Sequence, residues 1–380
     1  MHSFVDIPQM LRKLQPDNPV YCIYPHVYHK TTRRFIDGFP GRVLYAVKAN
    51  NHPFVLSALL DAGIRDFDCA SLLEIEQVRA ISEDAVCYLM NPVRIRNAAR
   101  VAQRDYGVRH FVIDHSSGLD PLLSEIDPLQ SIIFARMAVH HATALFDLSS
   151  KFGAKPAEVG PLLQAIADAG AEPALAFNVG SVVMSPDAFI HAMDTAREVL
   201  DSLSFKVRLV DIGGGYPKSY PGFAAPPLED YFAVIRNGVR LPLAENGELL
   251  AEPGRALSAR GMSAVVQVLL RKDDRLYLND GLYGAFWELR YKMQDRYSAR
   301  VFHGDQPLHG STRPFQLYGP TCDSGDVLPG RVELPESIDV GDHIEFGSIG
   351  AYSLSGRTDF NGFYSDTVVQ IDSSEALPPG

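Results

Sequence analysis

The sequence of 380 residues predicts a (β/α)8 barrel followed by an all-β domain. Between residues 43 and 252, eight short apolar runs alternate with amphipathic segments. Eight strand–helix units are the number that closes such a barrel, whereas open doubly wound sheets usually have fewer strands for this length. After residue 255, short β-rich runs recur with turn signals and little helical periodicity. The length is sufficient for two sizeable hydrophobic cores.

The barrel strands are predicted where apolar and β-branched residues cluster. They cover residues 43–49, 67–70, 86–90, 111–113, 132–139, 174–179, 207–212 and 249–252. Helices are predicted between them at residues 53–62, 72–81, 95–105, 157–169, 186–203 and 228–237. Several of these helical segments end on glycine, as at Gly63, Gly107 and Gly170. A first helix ending at Pro16 and a short strand at 20–24 precede the barrel.

The second domain is predicted from β-rich runs at residues 264–270, 275–278, 343–346 and 368–371. We expect residues 25–254 to form the barrel, and residues 1–24 to join residues 255–380 in the β domain. No low-complexity linker separates the two parts, so we expect them to pack together.

Composition and charge restrict the class of protein. The formal net charge of −11 argues against a nucleic acid or an anionic membrane as partner. The four cysteines show neither metal-binding nor disulfide spacing, so we expect no metal site and a reducing compartment. The first 15 residues contain no long apolar segment. These patterns predict a cytoplasmic protein without a membrane span.

Reactive residue types lie at the predicted ends of several barrel strands. Lys48 closes the first strand, Asp68 lies near the end of the second, and Asn178 closes the sixth. Residues 213–215 and 252–255 follow the seventh and eighth strands. In a (β/α)8 barrel these positions share one rim, which carries the active site. The alternative for Lys48 taken alone is a surface lysine at the end of a strand.

The three consecutive glycines, Gly213, Gly214 and Gly215, indicate a phosphate-binding turn. Without Cβ atoms, their backbone N–H groups can surround a phosphate, and barrels often bind phosphate after strands seven and eight. Arg255 adds a guanidinium for the same anion. The alternative is a tight turn that needs positive φ. The spacing does not match a dinucleotide-binding fingerprint.

A lysine, a phosphate cradle and an acid on one rim are typical of a pyridoxal phosphate site. A partly desolvated lysine can have a lowered pKa and react with the aldehyde of the cofactor. Glu252 can pair with the pyridine nitrogen and keep it protonated. The alternative for Glu252 is an ordinary salt bridge, with Arg255 as a possible partner.

The chain resembles the fold-type III pyridoxal-phosphate decarboxylases, in the branch of the ornithine, diaminopimelate and arginine decarboxylases. The matching motifs span residues 45–50, 67–71, 151–154, 211–215, 251–255, 279–284, 319–323, 350–352 and 360–363. This resemblance implies an alanine racemase-like barrel that binds pyridoxal 5'-phosphate, followed by the β domain.

The resemblance also implies a role for each matching residue. Lys48 would carry the cofactor, and Asp68 and Arg136 would lie beside it. The phosphate would be held by Ser181, Gly213, Gly214, Gly215, Arg255 and Tyr352, and Gly254 would also belong to the cofactor site. Cys322 would return a proton to the substrate, while Asp323 and Tyr283 would contact its far end. In this family Cys322 and Asp323 enter the site of the neighbouring subunit, which implies a homodimer with shared active sites.

Two positions depart from the family pattern. Asn178 stands where the family usually has a histidine stacked on the cofactor ring, and an amide neither stacks like an imidazole nor titrates. Lys292 aligns with an aspartate that binds the distal ammonium of ornithine, and a cation there would repel a diamine. Glu288 or Asp295 would then be the next candidates for that contact.

The resemblance implies decarboxylation of a basic L-amino acid, ornithine or a close homologue or derivative, as in polyamine metabolism. An alternative is a decarboxylase for a modified amino acid in a biosynthetic pathway. An amino-acid racemase would share the scaffold, but Cys322 in its Cys-Asp motif favours the decarboxylase. A non-catalytic homologue is disfavoured because the residues that such relatives tend to lose are all present: Lys48, Glu252, Arg255 and Cys322.

Overall fold

The computed structural model describes residues 2–139, 144–146, 150–290 and 298–375. Its strands are β1 (His2–Phe4), β2 (Val20–Ile23), β3 (Arg42–Ala46), β4 (Asp66–Cys69), β5 (Val86–Leu89), β6 (His110–Ile113), β7 (Ile132–Met137), β8 (Ala144–Phe146), β9 (Glu172–Phe177), β10 (Ser181–Val183), β11 (Leu209–Asp211), β12 (Glu248–Ala251), β13 (Met262–Lys272), β14 (Arg275–Leu278), β15 (Ala299–His303), β16 (Gln306–Pro307), β17 (Thr312–Tyr318), β18 (Val332–Pro335), β19 (His343–Phe346) and β20 (Val368–Ile371). Its α-helices are α1 (Ile7–Leu14), α2 (Pro25–Gly38), α3 (Pro53–Asp61), α4 (Leu72–Arg79), α5 (Ala98–Tyr106), α6 (Leu119–Leu123), α7 (Pro156–Asp168), α8 (Asp187–Asp201), α9 (Leu228–Asn237) and α10 (Arg255–Ser258).

The predicted barrel is confirmed. Within the described residues, eight parallel strands close in the order β3-β4-β5-β6-β7-β9-β11-β12, and β12 pairs with β3. Alternate residues of these strands, such as Leu44, Val112, Phe134 and Leu250, fill the barrel interior as one apolar cluster. A packed interior leaves the rim at the carboxyl ends of the strands as the place for a site.

The first barrel strand is shorter than predicted, so Lys48 lies in the turn that follows the strand and not in the strand itself. The strand ends at Ala46, and Val47–Ala49 form a 3-10 turn instead of extending it. Val47 and Ala49 are buried on either side, whereas Lys48 is exposed. The turn therefore anchors its two apolar neighbours in the core and directs the lysine away from it.

The all-β domain includes both ends of the described chain. Of the described strands, ten form a mixed sheet around the long strand β13. The N-terminal β2 pairs antiparallel with β13 and parallel with β20. The strand β19 pairs with the other edge of β13. The segment before the barrel and the segment after it therefore belong to the same sheet.

Several strands were not indicated by the sequence: β8 and β10 in the connections of the barrel, and β1 and β15 to β18 in the β domain. β8 and β10 pair antiparallel, with Ser181 opposite Phe146 and Val183 opposite Ala144. They belong to the connections that follow β7 and β9, and three-residue strands are too short to give a periodic signal. In the described ranges, the helices are too short or too polar to cross a membrane.

Candidate active site

A cavity of about 490 Å³ opens at the carboxyl ends of the barrel strands. It brings together ten of the residues predicted to hold a cofactor: Lys48, Arg136, Asn178, Ser181, Gly214, Gly215, Glu252, Gly254, Arg255 and Tyr352. Its wall also includes Asn91, Lys151, Phe152, Asp211 and Tyr216, which were not predicted as site residues. The motifs at residues 151–154 and 211–215 contain Lys151, Phe152 and Asp211, whereas the only sequence signal for Asn91 and Tyr216 was their position after β5 and β11.

Lys48 forms an ion pair with Asp68 at the cavity wall. Its Nζ donates to Oδ2 of Asp68 at 2.7 Å, and Asp68 is only 2% exposed. Burial opposes the charge of Lys48, but the negative charge beside it, first that of the Asp68 carboxylate, outweighs burial and raises the pKa of the lysine above its ordinary value. The direction is opposite to the expected lowering, because the carboxylate of Asp68 stabilises the ammonium more than burial destabilises it.

Glu252 forms a pair with another carboxyl group rather than the alternative salt bridge with Arg255. The carboxyl groups of Glu252 and Asp211 interact closely enough to share a proton. Burial, followed by the charges of Asp211 and Asp68, raises the pKa of Glu252 well above its ordinary value. Burial also raises the pKa of Asp211 to about 6. Glu252 is therefore the member of the pair that holds a proton at neutral pH.

The three glycines combine the two predicted roles, because they form a tight turn and also lie at the cavity. Gly213 and Gly215 have φ of 72° and 98°, in the region that favours glycine. A Cβ on Gly214 would lie 2.7 Å from the carbonyl oxygen of Glu252. Gly214 and Gly215 line the cavity, whereas Gly213 packs behind them against the carbonyl of Phe177.

Arg255 is held by three side chains at the cavity wall. Its Nη1 donates to Oε2 of Glu288 at 2.7 Å and to the hydroxyl of Tyr220 at 3.0 Å, and its Nη2 also bonds Glu288. Its guanidinium lies 5.1 Å from the ring centroid of Tyr352. Glu288, a predicted candidate for the substrate contact, is thus engaged with Arg255, and its contact with a substrate stays a prediction.

The cavity has the donors that a phosphorylated cofactor needs. Two donors of the cavity wall, Nε of Arg255 and the hydroxyl of Tyr216, are among the buried polar atoms of the described residues that have no hydrogen-bond partner. Buried polar atoms in native proteins are normally paired, so such atoms indicate a missing partner. With Lys48 and the glycine turn beside them, the chemistry of this cavity fits pyridoxal phosphate.

Cys322, Asp323 and Tyr283 lie apart from this cavity. Cys322 is exposed and, with Asp323, lines a different cleft of about 420 Å³ in the β domain. The hydroxyl of Tyr283 donates to Oδ2 of Asp323, and its ring stacks on Phe360. The predicted contact residue Lys292 and its substitute Asp295 lie outside the described residues.

Comparison with known proteins agrees with this geometry. The family described as "Pyridoxal-dependent decarboxylase, pyridoxal binding domain" matches residues 27–259. An ornithine decarboxylase of Schizosaccharomyces pombe is 31% identical over 348 residues, which cover 87% of this chain and 77% of that protein. A lysine/ornithine decarboxylase of Selenomonas ruminantium is 31% identical over 347 residues, covering 88% and 84%.

A solved structure shares the whole architecture. The lysine/ornithine decarboxylase of Vibrio vulnificus, complexed with putrescine, superposes with a TM-score of 0.82 at 27% identity and covers 97% of this chain and 98% of its own. The match extends over the barrel and the β domain alike. Together with the family match over more than half of the sequence, this shows that the chain belongs to the pyridoxal-dependent decarboxylases of the ornithine decarboxylase branch.

Proposed function

We propose that this pyridoxal-phosphate-dependent decarboxylase removes the α-carboxyl group of a basic L-amino acid, ornithine or a close homologue, and releases the corresponding amine. The observation that carries the proposal is the arrangement of Lys48, Glu252 and Arg255 around one cavity at the barrel rim. A lysine, an acid and a phosphate-binding turn on a single cavity are the groups that this cofactor requires.

Each part of the cofactor has a matching group on the cavity wall. Lys48 would hold the aldehyde end, Glu252 the ring nitrogen, and Arg255 with the glycine turn the phosphate. Ser181 and Tyr352 would contribute hydroxyl groups to the phosphate, and Arg136 would lie beside the ring. When bound, the cofactor supplies an electron sink for the electron pair left on the substrate as CO2 departs.

Protons on two side chains prepare the site for this cofactor. The raised pKa of Glu252, caused first by its burial, keeps a proton on its carboxyl group. That carboxyl can donate the proton to a pyridine nitrogen and remain as its carboxylate partner. Lys48 is held as an ammonium by Asp68, so its Nζ must lose a proton before it can attack an aldehyde.

A second copy of the chain would complete the site. Cys322 and Asp323 line a cleft of their own, and neither is part of the wall of the Lys48 cavity. A homodimer in which each subunit supplies these two residues to its partner would bring them to the substrate. Cys322 would then return a proton to the carbon that loses CO2, and Asp323 would face the far end of the substrate.

A modified substrate is the second candidate, favoured by the surroundings of Asp323. The hydroxyl of Tyr283 already donates to its carboxylate, and the guanidinium of Arg290 lies 4.2 Å from the centroid of the Tyr283 ring. Lys292 follows two residues later in the sequence. This excess of positive charge suits an amino acid whose distal amine is acylated or carries an acidic group.

Release of CO2 from a panel of substrates tests the proposal. The panel comprises ornithine, lysine, arginine, diaminopimelate, 2,4-diaminobutyrate and acylated derivatives, with Lys48→Ala as the inactive control. We expect release from ornithine or lysine that depends on the cofactor and on Lys48. Release from an acylated derivative alone would select the second candidate, and loss of the α-proton without CO2 would indicate a racemase.

A further inference from the structure

Asn178 closes a turn at the end of β9. Its Oδ1 accepts a hydrogen bond from the backbone N–H of Gly180, two residues ahead, at 3.0 Å. The neighbouring strand β11 ends in the same way, because Oδ1 of Asp211 accepts from the backbone N–H of Gly213 at 2.8 Å. Such bonds to the second following residue are a local turn motif of Asn and Asp. Two adjacent strands of the barrel therefore end in the same turn.

The two turns pack against each other without spare room. A Cβ on Gly215 would lie 2.7 Å from the carbonyl oxygen of Gly180, and the backbone N–H of Val183 donates to Gly215 at 3.0 Å. A Cβ on Gly213 would lie 3.0 Å from Nδ2 of Asn178. The Asn178 side chain thus lies between the two turns. Its conformation determines where Gly180 and Ser181 stand relative to the glycine turn.

We propose that Asn178 is a positioning residue, which holds the turn of Gly180 and Ser181 in place beside the glycine turn and thereby sets how tightly the cofactor is retained. An asparagine cannot stack on an aromatic ring as the usual histidine does, but it can supply this acceptor. Loss of the acceptor leaves the N–H of Gly180 unpaired and frees the turn. The inference rests on the proposed binding of the cofactor in this cavity.

Two substitutions separate the acceptor from the mere bulk of the side chain. Asn178→Leu keeps the same branching and the same number of heavy atoms in the side chain, and removes the oxygen. Asn178→Ser restores an oxygen that can reach the second following N–H, as Ser365 and Ser373 do in this chain with Thr367 at 3.2 Å and Glu375 at 3.3 Å. Rescue by serine is the outcome that a role in simple packing would not produce.

A matched control breaks the same kind of bond at the opposite end of the barrel. Oδ1 of Asp127 accepts from the backbone N–H of Leu129 at 3.1 Å, just before the start of β7. Asp127→Leu removes that bond, and a second one that Oδ2 of Asp127 accepts from Nε2 of Gln130, without touching the cavity. Thermal unfolding measures the structural cost of both leucine variants, and only Asn178→Leu should also change cofactor binding.

The readout is the dissociation constant of pyridoxal phosphate. It is measured by adding the cofactor to cofactor-depleted protein and recording the absorbance band at roughly 420 nm. We expect Asn178→Leu to raise this dissociation constant about tenfold, which corresponds to a loss of about 1.4 kcal/mol in binding free energy. Asn178→Ser should stay within about threefold of the wild type, and Asp127→Leu should leave it unchanged. Unchanged binding in Asn178→Leu, or equal losses for leucine and serine, would overturn the inference. Failure of the wild type to bind the cofactor would instead refute the proposed function.

Discussion

Lys48 and Asp68 form an ion pair across neighbouring barrel strands, with Nζ 2.7 Å from Oδ2. The backbone register explains the pairing, because Asp68 lies opposite Ala46, two residues before the lysine. Asp68 is buried, whereas Lys48 is 48% exposed and lines the cavity. The pair therefore fixes the ammonium at the place where an aldehyde would arrive, but keeps it protonated and unreactive.

Asp68→Asn should speed the attachment of the cofactor near pH 7. Removing the carboxylate lowers the pKa of Lys48, so a larger fraction of the lysine is the free amine, and the pH midpoint of the loading rate should fall by about one to three units. Loading rates of pyridoxal phosphate between pH 6 and 10 measure this shift. Asp66→Asn, at the other end of the same strand, is the control and should leave the midpoint unchanged. Slower loading of Asp68→Asn at neutral pH would contradict this prediction.

Asp211→Asn should stabilise the cofactor-free protein, and only at higher pH. Burial raises the pKa of Asp211 from 3.8 in the unfolded chain to about 6 in the folded protein. The contribution of Asp211 to the free energy of unfolding is therefore fully favourable below pH 3.8, where both states are protonated. It is lost as the pH rises through 6. A shift of this size corresponds to about 3 kcal/mol at most, at about 1.4 kcal/mol per unit. Urea unfolding of both proteins at a pH near 3.8 and at pH 8 gives the difference, because the effect develops between the two pKa values. A stability gain that is the same at both pH values would show that the charge of Asp211 is not its cause.

Mixing two inactive variants tests whether the active sites are shared between subunits. Lys48→Ala and Cys322→Ala each damage a different component of the site. If Cys322 acts in the site of the partner, random heterodimers contain one intact site, and the mixture should regain about one quarter of the wild-type activity. Subunit exchange is verified separately by labelled chains. Full exchange without recovery would exclude sharing.

Lys292→Asp should increase kcat/KM for ornithine about tenfold or more. The sequence places this lysine where an aspartate would bind the distal ammonium, and a charge at about 4 Å contributes on the order of 1 to 4 kcal/mol. Lys30→Asp, on the helix α2, is a control with the same change of charge away from the cavity. If the two variants behave alike, Lys292 lies outside the substrate pocket.

Much of the fold was predictable, because apolar runs indicate the barrel strands and glycines indicate where several of the helices end. All eight predicted barrel strands exist, with ends that shift by up to three residues. The largest shift, from residue 49 to Ala46, arises because Val47–Ala49 form a turn whose alternating burial resembles that of a strand. The pair of β8 and β10 is too short for any periodic pattern.

The composition of the cavity was predictable from the strand ends, but the partners of its side chains were not. Arg255 and Glu288 are 33 residues apart, and nothing in the sequence indicates that they meet. The direction of the pKa shift at Lys48 depends on the distance of 2.7 Å between its Nζ and the Asp68 carboxylate. Such pairwise electrostatics requires distances, which a residue pattern does not contain.

The most direct test of the cofactor site is to identify the lysine that carries the cofactor. Reduction of the loaded enzyme with borohydride fixes the cofactor to its lysine, and peptide mass spectrometry locates it. Lys218 is the chemical competitor, because burial and the charges of Arg260 and Arg255 lower its pKa to about 7. Lys218, however, contacts Tyr220 and Ser348 and lies outside the described cavity wall. We predict the label on Lys48 and its loss in Lys48→Ala; a label on Lys218, or on any other lysine, would contradict the assignment of this cavity as the active site.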